Sequence, residues 1–335
     1  MAEPAVPIIQ CGNPDCKVAE DRKCVEGLPF DKCPHYGKPP QPKAAAETVA
    51  DETHGMLLPS GDLLTISDAN GVLRRGGSRV IAIVGPKEAG KTTLIASLFE
   101  LFLRGTIGPY CFSSSRTLYA FERACHPSRA VSQRVVPKTE RTLLTDVHFY
   151  HLATRKDGAS VVDMLFADRN GEDYRTSVDD SSTVSGFVEI ARADTITFLV
   201  DGSQLLHLTT RNSIASEVVA IAQALIDGGA IAGSPRVAIV LTKTDLIEKS
   251  ANRERTMRDF ENLVARFRTL NSEAFGEIRS FKVAACPSDT TLPLGHGVSE
   301  LLDYWQAESP KPITPAQPYA SRSTRFIDLL HGIQE

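Results

Sequence analysis

Between residues 85 and 92 the chain reads Gly85-Pro86-Lys87-Glu88-Ala89-Gly90-Lys91-Thr92, the spacing G-x-x-x-x-G-K-[ST]. Glycines at these positions let the backbone curl so that successive N–H groups converge on an anion. A lysine and a hydroxyl at the end of the curl add a full positive charge and a metal-seeking oxygen. Gly85, Glu88, Ala89, Gly90, Lys91, Thr92 and Thr93 are therefore expected to surround a chain of phosphates. Lys91 would bridge its β and γ groups and Thr92 would offer its hydroxyl to Mg²⁺.

A second run, Asp168-Arg169-Asn170-Gly171, has the form DxxG. Asp168 is expected to hold the same Mg²⁺ through water and the Gly171 N–H to approach the terminal phosphate, so that the loop would sense whether that phosphate is present. The pattern is short, and its weight comes from its order between the phosphate loop and a third run, Thr242-Lys243-Thr244-Asp245. There a carboxylate can accept both the ring and the exocyclic N–H of guanine. The N1 lone pair of adenine would instead face it and leave a buried acceptor unpaired. Thr242, Lys243 and Asp245 are the expected base-reading residues.

Positioning these loops takes strands and helices, and the sequence supplies them in alternation. Strands are expected at Val80 to Val84, Val147 to Leu152, Val161 to Ala167, Ile196 to Val200, Val237 to Leu241 and Phe281 to Ala285. Helical faces fall between them at Leu94, Ile95, Leu98, Leu101 and Phe102, then at Ile214, Val218, Ile221 and Leu225, then at Met257, Phe260, Leu263, Val264, Phe267 and Leu270. Val298, Leu301, Leu302 and Trp305 suggest a last helix of the domain. The alternation predicts an α/β fold with a mainly parallel, six-stranded sheet and helices on both faces. Arg155-Lys156-Asp157-Gly158 is a hairpin-like turn and predicts one antiparallel pair. Ahead of the sheet, Leu57 to Arg75 holds a short amphipathic piece in which Thr65 or Ser67 could cap a helix ending near Gly76 and Gly77.

A chain of 335 residues, 42% hydrophobic and 23% charged, can bury one large core and still carry accessory segments. The net charge of −4 gives no reason to expect a coat for nucleic acid or an anionic membrane. No stretch has the character of a signal peptide or a membrane helix, so a cytoplasmic location is expected. Four of the seven cysteines, Cys11, Cys16, Cys24 and Cys33, crowd the first tenth of the chain. In a span too short to own a core they suit a tetrahedral Zn²⁺ site, with His35 able to replace one ligand; a tail with free thiols is the alternative. The organisation expected is a cysteine-rich segment over 1–38, a linker over 39–56, the main domain over 57–307, and a Pro-rich tail over 308–335 with a short helix over Arg325 to Ile333.

With the three runs in this order, residues from about Leu57 to Trp305 resemble the Ras-like P-loop GTPases. GPKEAGKTT is similar to the loop of heterotrimeric G-protein α subunits. GDLLT, GKTTLIASLFELFLRG, SSSRTLYAFERACHPSR, ADRNGEDY and the cysteine-rich head look like the bacterial double-GTPase group of type 2, found in predicted conflict or defence gene clusters. The resemblance implies a Ras-like G domain that binds GTP and GDP with Mg²⁺, hydrolyses GTP, and switches protein partners within a multiprotein system. It also implies a backbone contact to guanine at Ala285, although Ala284 stands where an S-A pair would carry serine. Two further departures are Glu172, where a water-orienting Gln is common, and Lys87, where Gly is common. Glu172 could orient or deprotonate water, or be a surface residue of a mobile loop. A threonine between the first helix and the second strand should close on Mg²⁺ and the γ-phosphate; Thr142 is preferred over Thr139, and no arginine among Arg116, Arg123, Arg134 and Arg141 is assigned as a finger. The leading reading is a GTP-hydrolysing switch with Lys91, Thr142 and Glu172 as catalytic residues. The runner-up is a non-hydrolysing GTP-bound scaffold that recruits partners through the zinc head and tail helix. The third is an ATPase motor.

Overall fold

The structure, a computed structural model, describes residues 10–13, 16, 18, 24, 27–39, 60–126 and 146–308. Thr139 and Thr142, with Arg134 and Arg141, fall outside the described residues, as do the expected linker beyond Pro39 and the tail helix.

The elements of the main domain run α1 (Ile66–Leu73), β1 (Ser78–Val84), α2 (Lys91–Arg104), β2 (Tyr110–Ser114), α3 (Leu118–Cys125), β3 (His148–Lys156), β4 (Val162–Asp168) and α4 (Gly171–Asp179). They continue as α5 (Val188–Arg192), β5 (Thr195–Asp201), α6 (Gly202–Leu206), α7 (Arg211–Asp227), β6 (Arg236–Thr242), α8 (Thr244–Glu248), α9 (Arg253–Asn271), β7 (Ile278–Lys282) and α10 (Val298–Gln306). The sheet order is β2-β3-β4-β1-β5-β6-β7. β1 is parallel to β4 and β5, and β5, β6 and β7 follow in parallel. The expected β3–β4 hairpin is present, and β2 extends it as a second antiparallel neighbour of β3.

The sheet therefore has seven strands where the sequence suggested six. The extra strand, YCFSS, is short, sits at an edge and buries only Tyr110, so it lacks the apolar run that marks the others. The last strand is also displaced: β7 spans Ile278–Lys282, while Val283 and Ala284 are buried beyond the ladder and Ala284 bridges to His296. Every residue of β5 and β6 is buried, as expected of central parallel strands covered on both faces.

One face of the sheet packs α2, α3 and α10 around Leu94, Ile95, Phe121 and Trp305, whose indole N–H donates to the Thr197 hydroxyl at 2.9 Å. The other packs α4 to α9 around Tyr174, Phe198, Ile221, Phe260 and Phe267. Each such side chain stabilises the fold by roughly 1.5–3 kcal/mol when fully buried. The expected helical faces are buried, except that Leu101 and Met257 are half-buried and Leu270 is 54% exposed at the end of α9. Thr65, not Ser67, caps α1. Its hydroxyl accepts from Asp68 N at 3.3 Å and the Asp68 carboxylate accepts from Thr65 N at 3.2 Å. Leu64, Ala69 and Val72 then close a third cluster against Phe149 and Leu165.

Candidate nucleotide-binding site

The carboxyl ends of β1, β4, β5 and β6 deliver Gly85, Asp168, Asp201 and Thr242 to one rim of the sheet, which is where ligands bind in open parallel sheets. From β1 the chain turns through Gly85 to Gly90 into α2. Gly90 holds φ of +93° at the helix N-cap, a conformation that favours glycine, and Glu88 also has positive φ at +65°. The Lys91 ammonium folds back under the loop and donates to the carbonyls of Gly85 at 2.9 Å and Pro86 at 3.1 Å. Burial pushes its pKa below the usual lysine range, with Asp168 and Asp173 pulling the other way.

Thr92, in the first turn of α2, points its hydroxyl at Asp168 Oδ2, 3.4 Å away. Asp168 is 2% exposed, so two hard oxygen ligands meet beside the helix N-terminus. That donor chemistry fits Mg²⁺, which takes one or two protein oxygens and completes its shell with phosphate and water. Gly171 closes the same corner. A Cβ there would lie 2.6 Å from the Gly85 carbonyl, 2.7 Å from Lys91 Nζ and 2.8 Å from Lys87 N, so only glycine allows this approach. Asn170 caps α4 by accepting from Glu172 N at 3.2 Å. The Glu172 side chain lies 3.8 Å from Lys87 Nζ with both about half exposed, so two of the residues that depart from the Ras-like pattern are paired with each other.

The TKTD run is tied into the same rim. Thr242 donates to the Ala89 carbonyl at 3.0 Å, which fixes β6 to the phosphate loop. Lys243 adopts the left-handed conformation at φ of +54° and its ammonium reaches Asp201 Oδ2 at 2.8 Å. Asp245 is 4% exposed, and its Oδ2 accepts from both the backbone N–H and the hydroxyl of Ser288 at 3.0 Å. Ala285, three residues before Ser288, is half-buried and its carbonyl accepts from Gly295 N at 3.2 Å.

Two contributors were not anticipated from the sequence. Asp201, aligned with Thr242 across the β5–β6 ladder, both pairs Lys243 and caps α6 by accepting from Ser203 N at 2.9 Å. The signal was an Asp-Gly-Ser after an apolar strand. Ser288, from a loop beyond β7, donates to Asp245 through both its backbone N–H and its hydroxyl, and no local spacing announces it.

A cleft of about 250 Å³ lies along Pro86, Lys87, Gly171, Glu172, Asp201 and Glu217. A larger cavity of about 870 Å³, lined by Arg236, Glu277, Arg279 and Tyr304, is at the opposite end of the strands, away from every phosphate-binding group. The smaller one is the cleft bordered by the phosphate-loop and DxxG runs. Cys11, Cys16, Cys24 and Cys33 are free thiols. Burial pushes the Cys11 thiol up, with Cys16 and Cys33 adding to the shift. Among the described residues no three Cys, His, Asp or Glu side chains gather as a metal-binding group. Among the same residues no helix is long and apolar enough to cross a membrane.

The sequence profile of the family Double-GTPase 2 matches residues 79–306, from β1 through α10. The chain belongs to the Double-GTPase 2 family. The matched span contains every part of the rim described above, so nucleotide binding is implied by membership as well as by geometry. No curated protein sequence matches the chain. Solved structures similar to this Double-GTPase 2 chain include the signal recognition particle receptor SRb-GTP/SRX complex from Chaetomium thermophilum, at 14% identity and a TM-score of 0.36 over 68% of this chain and 95% of that one. Methanosarcina barkeri Roco2 RocCORdC bound to GDP is similar at 14% identity and a TM-score of 0.34, over 69% of this chain and 49% of that one. Likenesses at these scores have no bearing on function.

Proposed function

We propose that this protein binds GTP with Mg²⁺ and hydrolyses it slowly to GDP, acting as a nucleotide-dependent switch. The observation that carries the reading is the meeting of Lys91, Thr92, Asp168 and Gly171 at one corner of the rim, with Asp245 held just past the end of β6, two strands from β1 on the same rim. Backbone N–H groups of residues 85 to 92 and Lys91 hold the phosphates; Thr92 and Asp168 are the residues that would hold the cation. When bound, Mg²⁺ neutralises charge on the β and γ oxygens. Gly171 offers its N–H to the γ-phosphate, Lys243 packs against the base, and Asp245 accepts from guanine. Thr142, outside the described residues, is assigned the role of closing on Mg²⁺ and the γ-phosphate.

Glu172 is assigned to orienting the attacking water. An anion beside a triphosphate is costly unless a cation offsets it, and the Lys87 ammonium 3.8 Å away is such a cation. The same pair supports a second reading, a non-hydrolysing GTP-bound scaffold, because an exposed ion pair is a weak constraint on the geometry of a water. The N-terminal cysteines are assigned a structural Zn²⁺ and a docking role toward a protein partner, supported by the adjacency of Cys11 and Cys16. Placement within a bacterial multiprotein system of conflict or defence rests on the family resemblance alone. Binding and turnover of the purified chain with GTP and ATP side by side separate the nucleotide readings: GTP turnover supports the switch, GTP binding without turnover the scaffold, and equal use of ATP sinks the guanine assignment.

A further inference from the structure

Behind the Asp168–Gly171 loop lies a buried polar cluster that phosphate binding does not use. Arg169 Nε donates to Glu189 Oε1 at 2.7 Å and its Nη2 to Glu189 Oε2 at 3.2 Å, a bidentate pair whose side chains are 9% and 0% exposed. Nη2 also reaches the Gly186 carbonyl and Nη1 reaches Asp173, both at 3.4 Å. The Tyr174 hydroxyl donates to Glu189 Oε1 at 3.0 Å. Phe187 lies under the guanidinium at 4.7 Å and edge-on to the Tyr174 ring at 5.3 Å. Tyr174, Phe187 and Ile190 belong to the main hydrophobic core. One residue of the DxxG run is thereby fastened to α5 and the core.

The loop has a front and a back. At the front, Gly171 rests on Gly85, Lys87 and Lys91, and the ion pair beside it is the exposed Lys87–Glu172 contact. At the back is the Arg169–Glu189–Tyr174 cluster, buried and with both Glu189 carboxylate oxygens satisfied. We propose that Arg169, clasped by Glu189 and Tyr174, is a positioning residue that seats the Gly171 N–H over the phosphate loop and so sets the preference of the site for nucleoside triphosphate over diphosphate. This rests on the nucleotide reading above. Gly171 can touch only the terminal phosphate, because the inner phosphates belong to residues 85 to 92. Loosening the strut weakens triphosphate binding and leaves diphosphate binding alone.

Removing one partner strands a buried charge and endangers folding, whereas replacing both with apolar groups of similar volume is often tolerated. The test therefore uses the double variant Arg169→Met/Glu189→Met, with Arg169→Lys as the conservative control. Three quantities are measured: affinity for GDP, affinity for a non-hydrolysable GTP analogue, and amide hydrogen exchange of residues 171–179 in nucleotide-free protein. The double variant is expected to hold GDP within about threefold, to lose at least about tenfold in its preference for the analogue, and to exchange α4 amides faster. Arg169→Lys should recover part of both. An unchanged preference, or unchanged exchange, overturns the proposal. A wild type that binds neither nucleotide overturns the site reading instead, and the exchange result still decides whether the strut holds α4.

Discussion

Replacing Asp245 by Asn exchanges one hydrogen-bond pattern for another at almost constant shape, and the structure fixes which way the new amide must face. Oδ2 accepts from the Ser288 backbone N–H, which can only donate. In the variant the amide oxygen must occupy that place, so the NH₂ takes the position of Oδ1. A donor then meets the N–H edge of guanine in a site only 4% exposed. A lost hydrogen bond to a charged group is worth about 1.5–3 kcal/mol, and a buried unsatisfied donor costs about 1–3 kcal/mol. The two overlap, so GTP affinity should fall by at least ~2 kcal/mol, or roughly 30-fold.

Xanthine carries a carbonyl where guanine has its amine, and the variant amide can donate to it while its oxygen still accepts from N1–H. Competition titrations with GTP, xanthosine triphosphate and ATP are the assay, with Lys91 and Thr92 unaltered as an internal reference for phosphate binding. The expected order for the variant is xanthosine triphosphate above GTP, with ATP weak on both proteins. Retention of full GTP affinity, or no gain for xanthosine triphosphate, would refute the base-reading role of Asp245.

Lys91→Ala should abolish detectable triphosphate binding, because the charge under the loop and the bridge across the β and γ groups vanish together; calorimetry showing affinity within a few-fold of wild type would remove the phosphate assignment. Glu172→Ala should lower single-turnover GTP hydrolysis with little change in GTP affinity, since the residue acts on water and not on bound nucleotide; an unchanged rate assigns it to the surface. Metal analysis should find about one Zn per chain, lost in Cys16→Ser or Cys24→Ser; a folded, metal-free wild type would discard the zinc site and leave the nucleotide site standing.

Much of the fold was legible because it is written in local periodicity. The runs that became β1, β4, β5 and β6 are buried strands with few polar interruptions, and Ile214, Val218, Ile221 and Leu225 mark α7 by spacing alone. Where tertiary contacts decide, the sequence is silent. β2 is half-exposed and gains its identity from pairing with β3. The helix α4, GEDYRTSVD, has no apolar stripe and is held through Tyr174 and its partner Glu189. The phosphate loop, DxxG and TKTD were visible because each is contiguous. Asp201 and Ser288 were not, because each meets its partner only after the strands align, 42 residues from Lys243 and 43 from Asp245.

The same division separates the two halves of the proposed chemistry. On the binding side the key groups are buried and already engaged: Lys91 under its loop, Thr92 beside Asp168, Thr242 on Ala89, Asp245 on Ser288. Nucleotide and cation would take over the contacts that Lys91 makes to the Gly85 and Pro86 carbonyls and that Thr92 makes to Asp168, while Thr242 and Asp245 are already held in place by Ala89 and Ser288. On the hydrolysis side the candidate residue is Glu172, half-exposed and paired at 3.8 Å with an equally exposed Lys87. Orienting a water takes a side chain held to within a fraction of an ångström, which exposed pairs do not supply. A contact that covers this side of the cleft, excludes solvent and fixes Glu172 would therefore raise turnover far more than it raises affinity. The expectation for the isolated chain is GTP binding with slow hydrolysis, and an activating partner is to be sought at Lys87, Glu172, Arg175 and Glu217, which line that side of the cleft.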